Sequence, residues 1–382
     1  MDDTFHITII GAGLGGLCLA QSLRHAGIRF DVFERDDALD QRAQGYRIRI
    51  DAAGQHALSR AWTPEMDSIF HLAVSQATPN ARFLDTNLVP VNAQAPDSWQ
   101  EDGGPHDVSI HRQTLRELLM TGIEDRVHFG QAFEHYESID DDRLRVALGN
   151  ETSIETDVLV GADGVNSRVR AQLAPMAAPT TTGAVCIYGK TTPSSRAGLP
   201  EGTHVILADG CAAILEDMRF RSDLPSIAQG HGCRLSHVDD YLYWALVGTR
   251  WRLGLPDDLS VDARPFLARI AMTWHPTLRD ALCDGDGTGI AMLPIRLGRP
   301  DVAWPRGRVT LLGDAIHAMS PAGGRGANTA LEDAASLAAA LARTSGCRDL
   351  SSALESYDTA MRARGHEAIA VSQAGTERLS GV

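Results

Sequence analysis

Three glycines near the start of the chain, Gly11, Gly13 and Gly16, stand at G-x-G-x-x-G spacing. Glycines so spaced can carry a dinucleotide. The first permits a tight turn, the second lets a pyrophosphate approach the backbone, and the third lets a helix pack closely on a strand. A helix opening there turns its free N–H groups toward phosphates. Glu34 lies 18 residues beyond Gly16, at a strand end where a carboxylate can accept from ribose hydroxyls. Gly-rich turns also serve packing alone, so the flanking elements decide. Residues 7–10 form a β-branched run suited to a buried parallel strand, residues 17–25 read as a helix stopped by Gly27, and residues 28–33 form a second strand closing on Glu34-Arg35. This arrangement points to a dinucleotide cofactor without separating NAD from FAD.

Two later segments do separate them. One reads Asp157-Val158-Leu159-Val160-Gly161-Ala162-Asp163-Gly164-Val165-Asn166-Ser167-Arg168-Val169-Arg170. The other reads Val309-Thr310-Leu311-Leu312-Gly313-Asp314-Ala315-Ile316-His317-Ala318-Met319-Ser320-Pro321 and continues through Gly323-Gly324-Arg325-Gly326-Ala327-Asn328 into Leu331-Glu332-Asp333-Ala334. With the fingerprint they occur in family order over residues 7–334, and on them the chain resembles the FAD-dependent aromatic hydroxylases, the group A flavoprotein monooxygenases of para-hydroxybenzoate hydroxylase-like fold. Each motif alone is moderate, and the set is specific.

The resemblance implies non-covalent FAD, with NAD(P)H and O2 as co-substrates, and hydroxylation of an aromatic or polycyclic small molecule through a flavin C4a-hydroperoxide. It implies that Asp314 accepts from the ribityl chain. Gly324, Gly326, Ala327 and Asn328 open a helix toward the flavin pyrimidine, and Pro321 shapes the turn beside the ring. Asp163 sits where flavin and nicotinamide phosphates are recognised, Arg170 braces that loop, and Arg112 touches the flavin. Arg35 joins Glu34 at the nucleotide, and Arg47 lies near the flavin or a nicotinamide phosphate. The plainer alternatives are a loop-bracing ion pair for Asp163 and Arg170, and a solvated charge pair for Arg47 and Arg49. His317 is read as a packing residue. No protein nucleophile is required, because the flavin carries the chemistry.

The rest of the sequence bounds the fold. With 382 residues, 43% of them apolar and 22% charged, the chain can bury a sizeable core. The expected class is α/β: a Rossmann-like cofactor domain with a parallel sheet, a mainly antiparallel β substrate domain, and C-terminal helices near 328–343 and 351–374. The cofactor domain is expected to be discontinuous, over 1–75, 102–178 and 290–345. The substrate domain takes 76–101 and 179–289, and residues 346–382 form a helical segment. Residues 64–106 read as loops, 127–154 as a small antiparallel sheet, and 180–290 as short strands between Pro- and Gly-rich turns. Substrate contacts are expected from Tyr188, His204, Met218, Arg219, Tyr243 and Pro294, about half of which strand alternation would turn the wrong way.

A net charge of −14 argues against nucleic-acid partners. Cys18, Cys186, Cys211, Cys233, Cys283 and Cys347 are scattered, without metal-ligand spacing, and suit a reducing compartment. The start Met1-Asp2-Asp3 lacks a basic n-region and no run reaches a membrane span, so a cytoplasmic protein is expected. With the sequence ending at Val382, the thioredoxin-like domain of some larger relatives is not expected. Of 35 basic residues 34 are arginine, and the one lysine is Lys190. No lysine precedes it, and no two of Trp62, Trp99, Trp244, Trp251, Trp274 and Trp304 stand two apart, which disfavours a flavin halogenase. A FAD-dependent reductase without oxygen transfer and a redox-inactive flavin-fold binder are the remaining alternatives. Oligomeric state is not readable.

Overall fold

The computed structural model describes residues 5–41, 46–76, 81–93, 105–192, 199, 202–221, 223–284, 289–344 and 349–380. Cys347 and Trp99 lie outside the described residues, as do residues 77–80 and 94–101 of the expected substrate segment.

Five parallel strands form one sheet in the order Val309–Leu311, Val158–Gly161, His6–Ile10, Arg29–Phe33, Val127–His128. Parallel strands covered on both faces must be apolar on both, and Ile7, Ile9, Val32, Leu159 and Val160 are fully buried. Helix Leu14–His25 follows the first strand and packs on helix Gly326–Ala342, with Gly15 held against Leu312 and Ala330. The antiparallel strands Phe133–Ser138, Leu144–Leu148 and Thr152–Thr156 form a separate sheet beside helix Arg168–Leu173.

The second large sheet has six strands: Ala291–Leu297, Thr180–Thr191, Tyr241–Thr249, Cys211–Met218, Thr203–Ala208 and Arg82–Asp85. It is antiparallel except for the last pair. Alternation gives it two different faces. Val185, Ile187, Leu242, Trp244 and Leu246 pack with Leu267 and Leu278 of helices Arg264–Ile270 and Pro276–Cys283. Cys186, Tyr188, Tyr241 and Ala245 form a different cluster with Tyr46, which precedes strand Arg47–Ile50.

The α/β class with a parallel cofactor sheet and a mainly antiparallel second sheet is as the sequence predicts; several local readings differ. Residues 64–106, read as loops, include helix Pro64–Ala73 and the edge strand Arg82–Asp85. That helix starts with the Thr63 hydroxyl accepting from Met66 N–H, Pro64 in its first turn, and Glu65 and Asp67 beside it. Helices Arg264–Ile270 and Pro276–Cys283 likewise begin on Pro265 and Pro276, in a stretch read as turns. Val127–His128 leaves the small antiparallel sheet and edges the parallel one. Ala291–Leu297, grouped by sequence with the cofactor segments, pairs with Thr180–Thr191 at the edge of the six-stranded sheet. The C-terminal helix runs longer than expected, over Leu350–Ser380, and buries Leu354, Tyr357 and Met361 in the main core.

Among the described residues no helix is long and apolar enough to cross a membrane, and no cluster of His, Cys, Asp or Glu could hold a metal ion. Cys18, Cys186, Cys211, Cys233 and Cys283 are free thiols, and burial pushes those of Cys18 and Cys186 up to about 12.

Candidate active site

The fingerprint turn is tight at two glycines and open at the third. Gly11 has φ +111°, and a Cβ there would stand 2.4 Å from the Ala162 carbonyl oxygen. A Cβ on Gly16 would stand 2.1 Å from the Gly11 carbonyl oxygen. A Cβ on Gly13 would meet nothing within 4 Å. Gly13 is also the N-cap of helix Leu14–His25, which no side chain caps. The backbone around Gly13 thus offers space and unclaimed N–H groups, which is what a pyrophosphate needs. Glu34 accepts from Ala12 N–H (2.8 Å) and Asp36 N–H (3.1 Å), which fixes its carboxylate beside the turn. Arg35 next to it is exposed. Arg116, buried, donates to the Ala12 carbonyl at 3.2 Å and holds the turn from below.

The two later motifs leave the neighbouring parallel strands at the same carboxyl end of the sheet, where Gly11 packs on Ala162 and Asp163. Asp163 Oδ2 accepts from Arg168 N–H at 2.7 Å, while its Oδ1 is buried with no partner among the described residues. Burial pushes the Asp163 carboxyl up, against the hydrogen bonds from Ser167, Arg168 and Val169. Arg170 donates to the carbonyls of Val165 and Ala315, both at 2.9 Å, and so ties one motif loop to the other. Asp314 follows Gly313, whose φ of +63° turns the chain out of its strand, and it is exposed. Arg112 opens helix Arg112–Met120, and its own N–H donates to the Tyr46 carbonyl at 2.8 Å. Burial pulls its guanidinium below the usual arginine value, with Asp314 and Tyr188 acting against that pull.

Pro321–Gly323 forms a single 3-10 turn closed by Gly324 at φ +65°, and helix Gly326–Ala342 follows without a side-chain cap. The N–H groups of Gly326, Ala327 and Asn328 are therefore free of helical partners. The Asn328 side chain is otherwise engaged: it donates to the Arg49 and Gly324 carbonyls and accepts from Asp51 N–H. Its role is to lock the loop, while its backbone N–H faces out of the helix end. Below lies a buried ionic cluster in which Asp333 joins His317, Arg364 and Gly313 N–H.

On the second sheet the expected substrate residues divide by face. Tyr188, Met218 and Tyr243 lie on the face turned to Tyr46. Arg219 follows Met218 at the strand end, where its N–H donates to Ser75 Oγ at 3.0 Å. His204 pairs opposite Leu215, and Pro294 opposite Val185, so both belong to the helix-covered face and point away from Tyr188. Arg47 Nη2 meets the buried carboxylate of Glu216 at 2.5 Å and its Nε donates to Ser109 at 3.1 Å, so its guanidinium joins strand Arg47–Ile50 to the six-stranded sheet. Missed by the sequence reading are Tyr46, His111, Tyr241 and Lys190. Tyr241 and Lys190 each lie two residues from a named tyrosine on the same strand, so alternation alone places them on its face.

Residues 9–63 match the family described as NAD(P)-binding Rossmann-like domain, and residues 260–372 match the FAD binding domain. The chain is 32% identical over 407 residues to a dual O-methyltransferase/FAD-dependent monooxygenase of Cercospora beticola, an alignment covering 99% of this chain and 47% of that protein. It thus spans about half the length of that curated relative. It is 29% identical to an aurachin C monooxygenase/isomerase of Stigmatella aurantiaca, over 95% of this chain and 87% of that one. A solved structure from Photorhabdus luminescens, assigned as a FAD-containing monooxygenase, superposes with a TM-score of 0.81 at 28% identity, covering 98% and 99% of the two chains.

Proposed function

We propose that the chain is a group A FAD-dependent monooxygenase that hydroxylates an aromatic small molecule with O2 and NAD(P)H, a reading supported by its likeness to FAD-dependent monooxygenases. The observation that carries the reading is the open, uncapped helix start at Gly13 together with the uncapped helix start at Gly326 and an aromatic-lined sheet face. The overall reaction balances as substrate C–H, O2, NAD(P)H and a proton giving C–OH, NAD(P)+ and water.

The residues fit FAD. Its pyrophosphate would take the open backbone at Gly13, between the tight turns at Gly11 and Gly16, and Glu34 and Arg35 would meet the adenosine side. Asp163, with a buried unpartnered oxygen, would face the phosphate junction. Asp314 would accept from the ribityl chain, with Arg112 and Pro321 beside the ring. The free N–H groups at Gly326–Asn328, behind Gly324, would favour negative charge there. When bound, FAD supplies hydride acceptance and oxygen activation, which no side chain here can supply. The protein's own part is to orient the substrate with Tyr188, Met218 and Tyr243 and to exclude water from the buried face.

Purified protein is expected to be yellow, and its NAD(P)H oxidation to consume O2 and accelerate with a suitable aromatic compound. Protein that stays colourless and cannot be reconstituted with FAD would overturn the reading. Substrate reduction without O2 uptake would replace it with a reductase.

A further inference from the structure

Lys190 is the single lysine of a chain that otherwise uses arginine. It lies on strand Thr180–Thr191, two residues beyond Tyr188 and paired opposite Tyr243, so alternation puts it on the face turned to the cofactor domain. Its Nζ stands 5.0 Å from the ring centroid of Tyr46 and 5.5 Å from that of Tyr241. His111 completes the wall: it stacks with Tyr46 at 6.3 Å, meets Tyr241 edge-on at 5.7 Å, and its Nδ1 lies 3.0 Å from the Tyr241 hydroxyl. His111 immediately precedes Arg112, so this wall adjoins the cofactor end of the site.

The cations of the neighbouring strand are already paired. Arg47 is held by Glu216, and Arg49 forms an ion pair with Asp107. Lys190 is exposed and forms no ion pair with any of the described residues, and its ammonium lies over the rings of Tyr46 and Tyr241. Cation–π contacts of this kind hold an ammonium in place without neutralising it, and are worth only about 0.5–2 kcal/mol. His111 adds no competing charge: burial, and then the charge of Lys190, push it down to about 4. An exposed ammonium beside aromatic rings, unpaired among the described residues, is a receptor for an aromatic anion. In a protein of net charge −14 such a local cation also offsets the long-range repulsion an anion would meet.

We infer that Lys190 is the specificity-determining residue of the substrate site, taking the carboxylate or phenolate oxygen of an aromatic anion whose ring lies along Tyr188 and Tyr243. This rests on the reading of the site as that of a flavin hydroxylase.

Binding to FAD-loaded protein, followed by equilibrium dialysis, tests it with two matched pairs: 2-naphthoate against 2-naphthamide, and 4-nitrophenolate against 4-nitroanisole. The first pair reports a carboxylate and the second a phenolate. At least one anion should bind on the order of tenfold tighter than its neutral partner. Lys190→Met should bring that ratio to about one while keeping the FAD content of the wild type, and Lys190→Arg should keep most of the preference. A wild-type ratio near one in both pairs, no binding of either anion, or a ratio unchanged in Lys190→Met would overturn the assignment. Failure to load FAD at all would instead overturn the hydroxylase reading, so the two failures are distinguishable.

Discussion

Asp333 Oδ2 and His317 Nε2 meet at 2.5 Å, with both side chains fully buried. The other carboxylate oxygen takes Nε and Nη2 of Arg364 from the C-terminal helix, at 3.0 and 2.7 Å, and Gly313 N–H donates to Oδ2 at 3.1 Å. The cluster therefore fixes the turn that presents Asp314. Burial works against both charges, yet the attraction and hydrogen bond between them win, holding His317 above and Asp333 below their ordinary values.

Asp333→Asn should therefore destabilise the fold by about 3–5 kcal/mol, because it leaves buried cationic partners uncompensated. The pH dependence has a definite sign. His317's contribution is complete below about pH 6.5, its unfolded value, and fades as pH rises through its higher folded value; Asp333's fades only as pH falls below about 4. The gap between wild type and Asp333→Asn in urea unfolding should thus be widest near pH 5–6 and narrow toward pH 9. A gap constant across that range would mean that His317 is neutral throughout.

The glycines of the fingerprint should separate folding from cofactor retention. Gly13→Ala adds a methyl where nothing lies within 4 Å, so thermal unfolding of the FAD-free protein should change little while FAD binding weakens tenfold or more. Gly16→Ala puts a methyl 2.1 Å from a backbone oxygen, and the FAD-free protein itself should lose roughly 1–3 kcal/mol or more. Parallel losses in both measurements for Gly13→Ala would contradict the open cradle.

The parallel-sheet half of the fold was legible because its motifs are local. Strand, glycine turn and helix sit within thirty residues, and Asp314 and Asn328 lie in one continuous segment. What stayed hidden has two physical causes. Pro64, Pro265 and Pro276 read as breakers, whereas each occupies a helix first turn, the one place where its missing N–H costs nothing. The substrate face depends on strand register: His204 and Pro294 fell on the helix-covered side, and Glu216, which claims Arg47, comes from a strand distant in sequence. Spacing alone cannot say which of two arginines a remote carboxylate will take.

That pairing gives a stability prediction. Glu216 is buried and accepts from Arg47, Ser109 and Thr203, joining strand Arg47–Ile50 to the second sheet. Arg47→Met leaves the carboxylate without its cation and should cost about 3–5 kcal/mol, whereas Arg47→Met with Glu216→Gln should recover much of the loss. Thermal unfolding of the two variants checks this. A drop in FAD affinity with unchanged melting would return Arg47 to the cofactor.

His111 sets the acid limit of the ring-lined wall. Burial first, and the charge of Lys190 second, hold it at about 4, against about 6.5 for an unfolded histidine. Between those values the unfolded chain binds the proton and the folded one does not, so stability falls as pH drops from about 6.5 to 4. A difference of that size corresponds to at most about 3 kcal/mol. His111→Gln keeps a polar group near the Tyr241 hydroxyl but cannot take the proton, so it should lose less stability than wild type between pH 7.5 and 4.5. Urea midpoints at the two pH values decide it, and equal acid losses in both proteins would place the sensitivity elsewhere. Above pH 6 the histidine stays neutral, which leaves the Lys190 ammonium as the charge that an aromatic anion would meet at this wall.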